Sequence, residues 1–475
     1  MKLSQLIDGI EIEKIYNEAD VEITGVHYNS KEIKPGNLFV AIAGFVTDGH
    51  KYIPSAVANG AVAVVAQKYT DGIDVPQIIV GDSRIAEAKV CSTFFGNPSN
   101  KLQIIGVTGT NGKTTCTYLV KQILEKEGKK VGLIGTNQNM IGDKIIETGR
   151  TTPDAFELHK LFSDMVEENV DCVIMEVSSH ALELNRVYGC RFASAGFTNL
   201  TQDHLDFHIT MDNYAAAKEK LFSMCDNAVI NADDKYGKDM SLRAKCNTIS
   251  YGVTSDCVLK AENVILGESG VAFKIGDTDF SLGIPGDFSV YNALCAIGIA
   301  SSLGVPMERI AQCLASAGGV KGRAEVVKTD TDYTVMIDYA HTPDGIENIL
   351  KTVRGFASGR VVIVFGCGGD RDNTKRPIMG DAAGRLADFC VVTSDNPRSE
   401  DPMKIISMIE PAVKATGTPY VVIENRRDAI KYALDNAKKG DVIVLAGKGH
   451  ETYQILADGT IHFDEREVIR DILAE

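Results

Sequence analysis

A glycine-rich stretch at residues 102–115 has the residue types and spacing of a phosphate-binding site; it reads LQIIGVTGTNGKTT. Glycines at positions 109 and 112 allow backbone N–H groups to turn toward an anion, and a helix starting there adds its positive end. Lys113 is long enough to reach the β- and γ-phosphates of a nucleotide, and the Thr114 hydroxyl is a typical ligand of Mg²⁺. We therefore predict a strand, a nucleotide-binding loop and a helix.

One position departs from the strict phosphate-loop pattern G-x-x-x-x-G-K-[ST]. That pattern requires glycine at position 107, where this chain has valine. A glycine-rich turn without a ligand is the alternative interpretation. The apolar run before the loop and the helix-like segment after it favour nucleotide binding.

Other residues of the same region have the chemistry that a nucleotide site needs. Glu176 ends the apolar run DCVIMEV, where a carboxylate can hold Mg²⁺, although a solvated strand-end glutamate is the alternative. His204, in NLTQDHLDFH, is either a ligand or a structural hydrogen-bonding group. Asn292 begins an alanine-rich helix and suits a base or ribose contact, or a helix-terminal polar position. Lys218, in NYAAAKEKLF, is by composition a solvated helix lysine.

A third region contains four strand-like runs that each end in a polar, glycine- or proline-marked loop. The loops carry DYAHTPD, GCGGDRD, DNPR and GKGHE. Loops at the carboxyl ends of parallel strands converge on one site. Positive charge comes from Arg371, Arg398 and Lys448, and negative charge from Asp395 and Glu451. This mixture suits a zwitterionic ligand better than a phosphate alone.

The alternation of strand-like and helix-like segments predicts an α/β fold with three domains. We expect a small N-terminal α/β domain at 1–98, a central domain with a P-loop-type, mostly parallel sheet at 99–323, and a doubly wound, Rossmann-like domain at 324–475. In the first domain, strands are expected at 21–28 and 38–43. Its loop residues, among them Ser30, Asp48 and His50, are by themselves ordinary polar surface positions.

Composition excludes several classes of protein. The formal charge of −15 argues against nucleic acid or an anionic membrane as the main partner. The 11 cysteines include no C-x-x-C pair, which favours reduced thiols over a disulfide framework or a zinc site. The N-terminus lacks the pattern of a signal peptide, and no apolar run approaches the length of a membrane helix. We expect a cytoplasmic, ATP- and Mg²⁺-using kinase, ATPase or ligase; a binding-only switch protein is the alternative.

The motifs as a set resemble those of the Mur ligases over the whole chain. The matching segments are SKEIKPGNLFVAIAG, DGHKYI, GTNGKTT, RTTPD, MEVSSHAL, NLTQDHLDFH, the AAAK helix, DYAHTPD, GCGGDRD, DNPR and GKGHE. In this family and in folylpolyglutamate synthetases the loop reads GTNGKTT, so valine at position 107 is expected. The resemblance is to the members that add the third residue of the peptidoglycan stem peptide. It implies one domain each for UDP, ATP and the incoming amino acid. We expect the protein to be a monomer.

The resemblance also implies a reaction and its residues. UDP-MurNAc-L-Ala-D-Glu, ATP and a diamino acid give the UDP-tripeptide, ADP and phosphate, with Mg²⁺. The ATP residues by similarity are Gly109, Thr110, Asn111, Gly112, Lys113, Thr114, Thr115, Asn292 and Asp338. Those of the UDP-MurNAc-dipeptide are Ser30, Thr151, Thr152, Ser178 and Arg186. The catalytic residues are Lys113, Glu176, His204 and Lys218; Thr114, Glu176, His204 and Lys218 are the metal residues, with Lys218 carbamylated to N6-carboxylysine.

DNPR implies meso-diaminopimelate as the incoming amino acid, with L-lysine as the alternative and a folylpolyglutamate-type ligase as the more distant one. Diaminopimelate has a second carboxylate, which an arginine fork can bind. The implied amino-acid site comprises Arg371, Asp395, Asn396, Pro397, Arg398, Gly447 and Glu451. Two positions depart from the family pattern near the muramoyl-peptide subsite: Arg150 replaces a common asparagine, and Leu184 replaces glutamine of some relatives.

Overall fold

The computed structural model describes residues 1–44, 47–146, 148–267, 270–317 and 319–475. These residues form five β-sheets with helices packed against them. The predicted α/β class is confirmed. Strands of the three large sheets alternate along the chain with helices that cover them.

The N-terminal sheet contains five strands. Its elements are α1 (Leu3–Leu6), β1 (Ile12–Tyr16), β2 (Gly25–His27), β3 (Asn37–Val40), α2 (Ile53–Ala58), β4 (Ala61–Ala66), β5 (Gln77–Val80) and α3 (Ser83–Phe94). The strand order is β1-β5-β4-β3-β2, and only β1 is antiparallel to its neighbour.

The strands predicted at 21–28 and 38–43 are shorter than expected. The segment before Gly25 pairs with the N-terminus instead: Lys2 forms a bridge with Glu22, and Ile23 N donates to Met1 O at 2.8 Å. After Val40 the chain turns back on itself, so that Gly49 N donates to the Ile42 carbonyl. In both cases the backbone pairs with another segment, which hydrophobic periodicity does not reveal, and the strand is shorter as a result.

The central sheet has nine strands. Its elements are β6 (Gln103–Thr108), α4 (Lys113–Lys126), β7 (Val131–Ile134), β8 (Asn139–Ile141), β9 (Lys144–Ile146), α5 (Ala155–Glu167), β10 (Cys172–Glu176), α6 (Ser179–Glu183), β11 (Phe192–Phe197), α7 (Leu205–His208), α8 (Met211–Glu219), β12 (Cys225–Asn231), α9 (Lys235–Arg243), β13 (Asn247–Gly252) and β14 (Leu259–Lys260). The order is β14-β13-β12-β11-β6-β10-β7-β8-β9. All pairs are parallel except β7–β8 and β8–β9, so the predicted mostly parallel sheet is confirmed.

A small antiparallel sheet and two helices complete this region. They are β15 (Glu262–Gly267), β16 (Gly270–Ile275), β17 (Thr278–Leu282), α10 (Asp287–Ser302) and α11 (Met307–Ala315). Residues of α10 are buried on all sides between the central sheet, α4 and the small sheet. This explains why its sequence is apolar without a polar stripe, since a helix covered on every face has no amphipathic pattern.

The C-terminal sheet has six strands in a doubly wound arrangement. Its elements are β18 (Glu325–Val327), β19 (Thr334–Asp338), α12 (Pro343–Arg354), β20 (Val361–Phe365), α13 (Lys375–Leu386), β21 (Phe389–Val392), α14 (Pro402–Ala415), β22 (Tyr420–Val422), α15 (Arg426–Asp435), β23 (Val442–Ala446), the hairpin β24 (Tyr453–Leu456) and β25 (Gly459–His462), and α16 (Glu465–Ala474). The order is β18-β19-β23-β20-β21-β22, parallel except for β18. The loops after β19, β20, β21 and β23 therefore emerge at one edge.

A group of carboxylates lies where α3 contacts the central unit. Glu87 of α3 is buried, and its Oε1 has no hydrogen-bond partner among the described residues. Burial, and repulsion from Asp154 and Glu157, raise the pKa of Glu87 to about 8, although Arg84 and Arg186 partly oppose the shift. A carboxyl group in such surroundings carries its proton at neutral pH.

We expect Glu87→Gln to stabilise the protein at pH 8 but not at pH 4. The pKa of Glu87 in the folded protein lies above the ordinary value of 4.5. The protonated carboxyl therefore contributes its full stabilisation below pH 4.5, and this contribution is lost as the pH rises toward 8. Glutamine keeps the neutral form at every pH. At about 1.4 kcal/mol for each of the roughly 3.5 pKa units between 4.5 and 8, the gain is on the order of 5 kcal/mol at pH 8. Urea unfolding at both pH values measures it, with the exposed Glu18→Gln as control; equal effects at both pH values would contradict the expectation.

Candidate active site

The phosphate loop lies between the end of β6 and the start of α4. Gly109 and Gly112 have φ values of +148° and +85°, which disfavour a side chain. A Cβ at Gly109 would also lie 1.9 Å from Thr198 Oγ1. Val107 is inside β6, buried and paired with Glu176 of β10. The turn therefore begins only after Thr108, which is why position 107 does not need glycine.

Thr198 and Asn199, which directly follow β11, fix the conformation of the phosphate loop. Thr110 N donates to the Asn199 carbonyl and Asn111 N to Asn199 Oδ1, both at 2.9 Å. Thr198 Oγ1 donates to the Asn111 carbonyl at 2.6 Å. Lys113 Nζ donates to the carbonyls of Gly109 and Thr110 at 3.0 and 2.9 Å. The lysine thus lies over the loop at the start of α4.

Glu176 forms the centre of a compact oxygen cluster beside the loop. Its Oε1 accepts from Thr114 Oγ1 and Thr136 N, both at 2.9 Å, and its Oε2 accepts from Thr136 Oγ1 at 3.0 Å. Gly135 makes the approach possible, since a Cβ there would lie 2.5 Å from Glu176 Oε1. The carboxylate is buried.

The oxygen cluster fits Mg²⁺. Mg²⁺ prefers oxygen ligands and usually takes one or two carboxylates, waters and substrate phosphates. Glu176 and the Thr114 hydroxyl supply such oxygens next to the loop. Within the described ranges no group of three or more His, Cys, Asp and Glu side chains could hold a metal by itself. The protein part of such a site is therefore small, and phosphate oxygens would complete it.

Lys218 is buried, so the solvated position expected from its local sequence is wrong. It lies in α8, 1% exposed, and its Nζ donates to the Gly109 carbonyl at 2.7 Å and lies over the Tyr214 ring. Burial and the nearby Lys113 lower its pKa well below the usual lysine value, with Asp203 opposing. The helix packs under the phosphate loop, which the alanine-rich local sequence did not indicate.

His204 faces the larger cavity from the start of α7. Its φ is +55°, and its Nε2 lies 3.4 Å from Asp203 Oδ2. Burial, with the positive charge of Lys113 nearby, holds the pKa of His204 below its usual range, although Asp203 opposes the shift. A neutral imidazole keeps a lone pair free for a metal or a proton. Both interpretations from the sequence, ligand and hydrogen-bonding group, are compatible with this position.

A cavity of about 550 Å³ lies between the central and C-terminal sheets. It brings together predicted residues of all three kinds: the phosphate loop, the dipeptide residues and the amino-acid loops. They are Thr110, Asn111, Gly112, Lys113, Thr114, Thr151, Thr152, Glu176, Ser178, Arg186, His204, Arg371, Asp395, Asn396, Arg398, Gly447 and Glu451.

A second cavity, of about 300 Å³, adjoins the first on the other side of the loop. Thr115, Asn292 and Asp338, three of the residues implied for ATP, line it. Asn111, Gly112, Arg323 and Tyr339 line both cavities. The two cavities are therefore separated by one thin wall, which these four residues form.

Several predicted residues lie outside both cavities. They are Ser30, Gly109, Lys218 and Pro397. Ser30 is in the N-terminal unit, where its carbonyl accepts from Asn59 Nδ2. Of the two departures near the muramoyl-peptide subsite, Arg150 lines the larger cavity, whereas Leu184 ends α6 outside it.

The amino-acid end of the larger cavity contains a buried polar network. Lys448 Nζ donates to Asn396 Oδ1 at 3.2 Å and Glu451 Oε2 at 2.9 Å, and Asn396 Nδ2 donates to the same Glu451 oxygen. Lys448 is fully buried and does not line the cavity, so its expected role as a charge facing the ligand is wrong. It neutralises Glu451 from behind. Arg371 and Arg398 remain as the cations that face the cavity there.

Sequence reasoning missed other residues of the larger cavity. Thr136, Asp203 and Asp206 come from the central unit, and Arg323, Tyr339, His341 and Lys375 from the boundary and the C-terminal unit. Arg323 Nη2 donates to Thr114 Oγ1 at 3.1 Å, and Lys375 Nζ lies 3.9 Å from Asp203 Oδ1. Thr136 and Asp203 follow buried strands, a signal that was available. The contacts between units join residues far apart in the chain, so no local sequence pattern indicates them.

The fold and the site define an α/β enzyme class in which a phosphate-loop unit faces a second, Rossmann-like unit across a shared cavity. Three family models match the chain: "Mur ligase family, catalytic domain" at residues 22–92, "Mur ligase middle domain" at 107–300 and "Mur ligase, glutamate ligase domain" at 322–449. The chain belongs to the Mur ligase family.

Two relatives and one solved structure that resemble the whole chain carry the same name. A UDP-N-acetylmuramoyl-L-alanyl-D-glutamate--2,6-diaminopimelate ligase of Caldanaerobacter subterraneus is 53% identical, over 100% of this chain and 99% of its own length. One from Clostridium botulinum is 51% identical, over 100% of both chains. A solved structure of a ligase of that name is 30% identical, with a TM-score of 0.69 over 100% of this chain and 99% of that chain.

A more distant structure shares the fold alone. Folylpolyglutamate synthase of Mycobacterium tuberculosis, solved with ADP and AMPPCP, has a TM-score of 0.64 at 19% identity and covers 76% of this chain. Over the described part of the sequence, none of the helices combines the length and the apolar character needed to cross a bilayer.

Proposed function

We propose that this protein is an ATP-dependent ligase that joins meso-diaminopimelate to the D-Glu side-chain carboxylate of UDP-MurNAc-L-Ala-D-Glu, in peptidoglycan precursor synthesis. The observation that carries the proposal is the larger cavity, in which the phosphate loop, the dipeptide residues and two arginines of the C-terminal loops line one space. The similarity of the whole chain to diaminopimelate ligases supports the same reaction.

The first chemical step is phosphoryl transfer to the substrate. The D-Glu side-chain carboxylate attacks the γ-phosphate of ATP, which gives an acyl phosphate and ADP. Lys113, above the Gly109 and Thr110 carbonyls, is placed to offset negative charge on the transferred group. Asn292 and Asp338 line the cavity proposed for adenosine.

Thr114 and Glu176 are the residues that we propose to hold Mg²⁺, together with His204 and carbamylated Lys218. When bound, the metal neutralises phosphate charge. Carbamylation requires a neutral amine: the Lys218 nitrogen adds to CO₂, a C–N bond forms, and one proton leaves. Burial lowers the pKa of Lys218 well below the usual lysine value, which favours the neutral amine. The resulting carboxylate is an anionic ligand in place of a cation.

The second step is amide formation. The amine of diaminopimelate attacks the acyl carbon, and inorganic phosphate leaves. Arg398 and Arg371, with Asn396, suit the distal carboxylate, and Asp395, Glu451 and the Gly447 carbonyl suit the distal ammonium. Pro397 shapes this loop without lining the cavity. Thr151, Thr152, Ser178 and Arg186 suit the muramoyl dipeptide, and Ser30 the uridine nucleotide.

We propose that each of the three units binds one substrate. Residues 1–98 bind the UDP part, 99–323 bind ATP and 324–475 bind the amino acid. We propose that the protein works in the cytoplasm as a monomer. Such a precursor ligase acts on nucleotide-linked substrates without entering the membrane.

An amino-acid panel tests the proposed function. With UDP-MurNAc-L-Ala-D-Glu and ATP, we expect phosphate release with meso-diaminopimelate and at least a hundredfold lower kcat/KM with L-lysine, because lysine leaves the guanidinium groups without a carboxylate. Equal turnover with L-lysine would contradict the selectivity. Activity on tetrahydrofolate with glutamate would favour a folylpolyglutamate-type ligase. ATP binding without turnover on any substrate would favour a binding-only switch.

A further inference from the structure

The Asp344 carboxylate connects the C-terminal unit to the phosphate loop. Asp344 is the second residue of α12, and its Oδ2 accepts from Asn111 Nδ2 at 2.6 Å. The same oxygen accepts from Asn348 Nδ2 at 3.1 Å and from Thr201 Oγ1 at 3.4 Å. Two of its three partners therefore belong to the central unit, one of them within the loop itself.

Local structure fixes the direction of this carboxylate. Thr342 caps α12, with its Oγ1 accepting from Gly345 N at 3.0 Å. An acidic side chain in the first turn of a helix interacts favourably with the helix dipole. Asn348, one turn later, holds the carboxylate from the same helix. Contacts within α12 therefore orient the Asp344 carboxylate without help from the central unit.

The backbone of Asn111 does not depend on Asp344. Asn199 Oδ1 accepts its N–H, and Thr198 Oγ1 donates to its carbonyl, both from the central unit. Only the Asn111 side chain reaches across to α12. The loop can therefore keep its shape without Asp344, while the bond between the two side chains forms only when the two units are together.

We propose that Asp344 is a positioning residue that couples nucleotide affinity to the apposition of the C-terminal unit through its bond to Asn111. The smaller cavity supports this: Asn111 and Asn292 line it from one unit, and Asp344 and Asn348 from the other. A ligand that draws the C-terminal unit onto the loop then also strengthens nucleotide binding, and the nucleotide strengthens that ligand equally. The inference rests on the proposed ATP-dependent ligation.

The test compares the affinity for AMPPCP with and without meso-diaminopimelate and UDP-MurNAc-L-Ala-D-Glu. In the wild type we expect the two ligands to raise the affinity about tenfold, within the usual range of coupling between sites. In Asp344→Ala the affinity without them stays within about twofold of the wild type, but the increase disappears, and kcat falls about tenfold. In Asn111→Ala, which also removes a side chain of the phosphate loop, the increase is likewise expected to disappear, and the double variant loses no more coupling than either single one.

Two further variants separate positioning from folding. Asp344→Asn keeps an acceptor for Asn111 and is expected to retain part of the coupling. Glu347→Ala, on the same helix, removes ion pairs to Lys351 and Arg385 and should leave the coupling unchanged. Both are compared with the wild type by thermal unfolding.

Three results would overturn the inference. Additive losses in the double variant would mean that Asp344 and Asn111 act independently. A loss of AMPPCP affinity in Asp344→Ala without the other ligands, matched by a loss for adenosine, would make Asp344 a direct nucleotide ligand. Unchanged coupling in Asp344→Ala would remove its role altogether. If the wild type binds AMPPCP with coupling but turns over no amino acid, the proposed function fails while the coupling stands.

Discussion

Lys218→Ala is expected to lower kcat about a thousandfold, and added formate or acetate is expected to restore part of the activity. The size of the loss is that of removing an electrostatic group from a preorganised site. The rescue is expected because a small carboxylate can occupy the space of the missing carbamate. Both effects follow from the proposal that the side chain acts as an anion.

The position of Lys218 gives this prediction its physical basis. Burial removes water from an ammonium ion at this position and Lys113 repels it, which is why the pKa of Lys218 lies well below the usual lysine value. A neutral amine is the form that reacts with CO₂. Its Nζ lies against the Gly109 carbonyl, at the underside of the phosphate loop. Addition of CO₂ there puts negative charge next to the site proposed for the metal.

Lys220→Ala is the matched control. Lys220 lies two residues further along and forms an exposed ion pair with Glu183. Its removal should leave kcat within about twofold, as for most surface ion pairs. Intact-mass measurement of the wild type under mild conditions should show one added CO₂. Full wild-type activity in CO₂-depleted buffer, together with no rescue of Lys218→Ala, would contradict carbamylation.

Arg398→Ala is expected to lower kcat/KM for meso-diaminopimelate by two to three orders of magnitude and to leave the KM for ATP within about twofold. Arg398 Nη1 donates to the Gly369 carbonyl at 2.8 Å, so the guanidinium is held in place while it faces the cavity. A bound, paired guanidinium–carboxylate contact is worth several kcal/mol when water is excluded. The cavity proposed for adenosine lies on the other side of the loop from Arg398, which is why we expect the two substrates to be affected differently.

Arg398→Lys separates charge from geometry. It keeps the positive charge but lacks the fork, so an intermediate loss is expected. Arg385→Ala, which removes an exposed arginine paired with Asp381, is the control for loss of charge in the same unit. Steady-state kinetics with each amino acid measure all three variants. An unchanged KM for diaminopimelate in Arg398→Ala would show that another residue binds the distal carboxylate.

Local sequence predicted those parts of the site that lie within one segment. The glycine pattern and apolar run placed the loop between β6 and α4, and the strand-end position of Glu176 placed it beside that loop. The structure adds why Val107 is tolerated: it is still inside the strand. These features depend on residues close together in the chain, so a motif is enough to find them.

Features that depend on packing between distant segments were not predictable in this way. Lys218 looked like a surface residue because its burial comes from the loop above α8. Lys448 looked like a ligand-facing charge, but Glu451 and Asn396 occupy its hydrogen bonds. The protonated state of Glu87 arises from carboxylates on another unit. In each case at least one decisive neighbour, namely Gly109, Asn396 or Asp154, is more than 50 residues away in the chain.

The thin wall between the two cavities has a consequence for inhibitor design. Asn111, Gly112, Arg323 and Tyr339 border both spaces, so a nucleoside and a peptide mimic bound on either side would lie a short linker apart. A single compound that joins them through an anionic linker beside Lys113 would gain the affinity of two ligands while losing translational freedom only once. Because the wall is built by both units, such a compound would also hold them together.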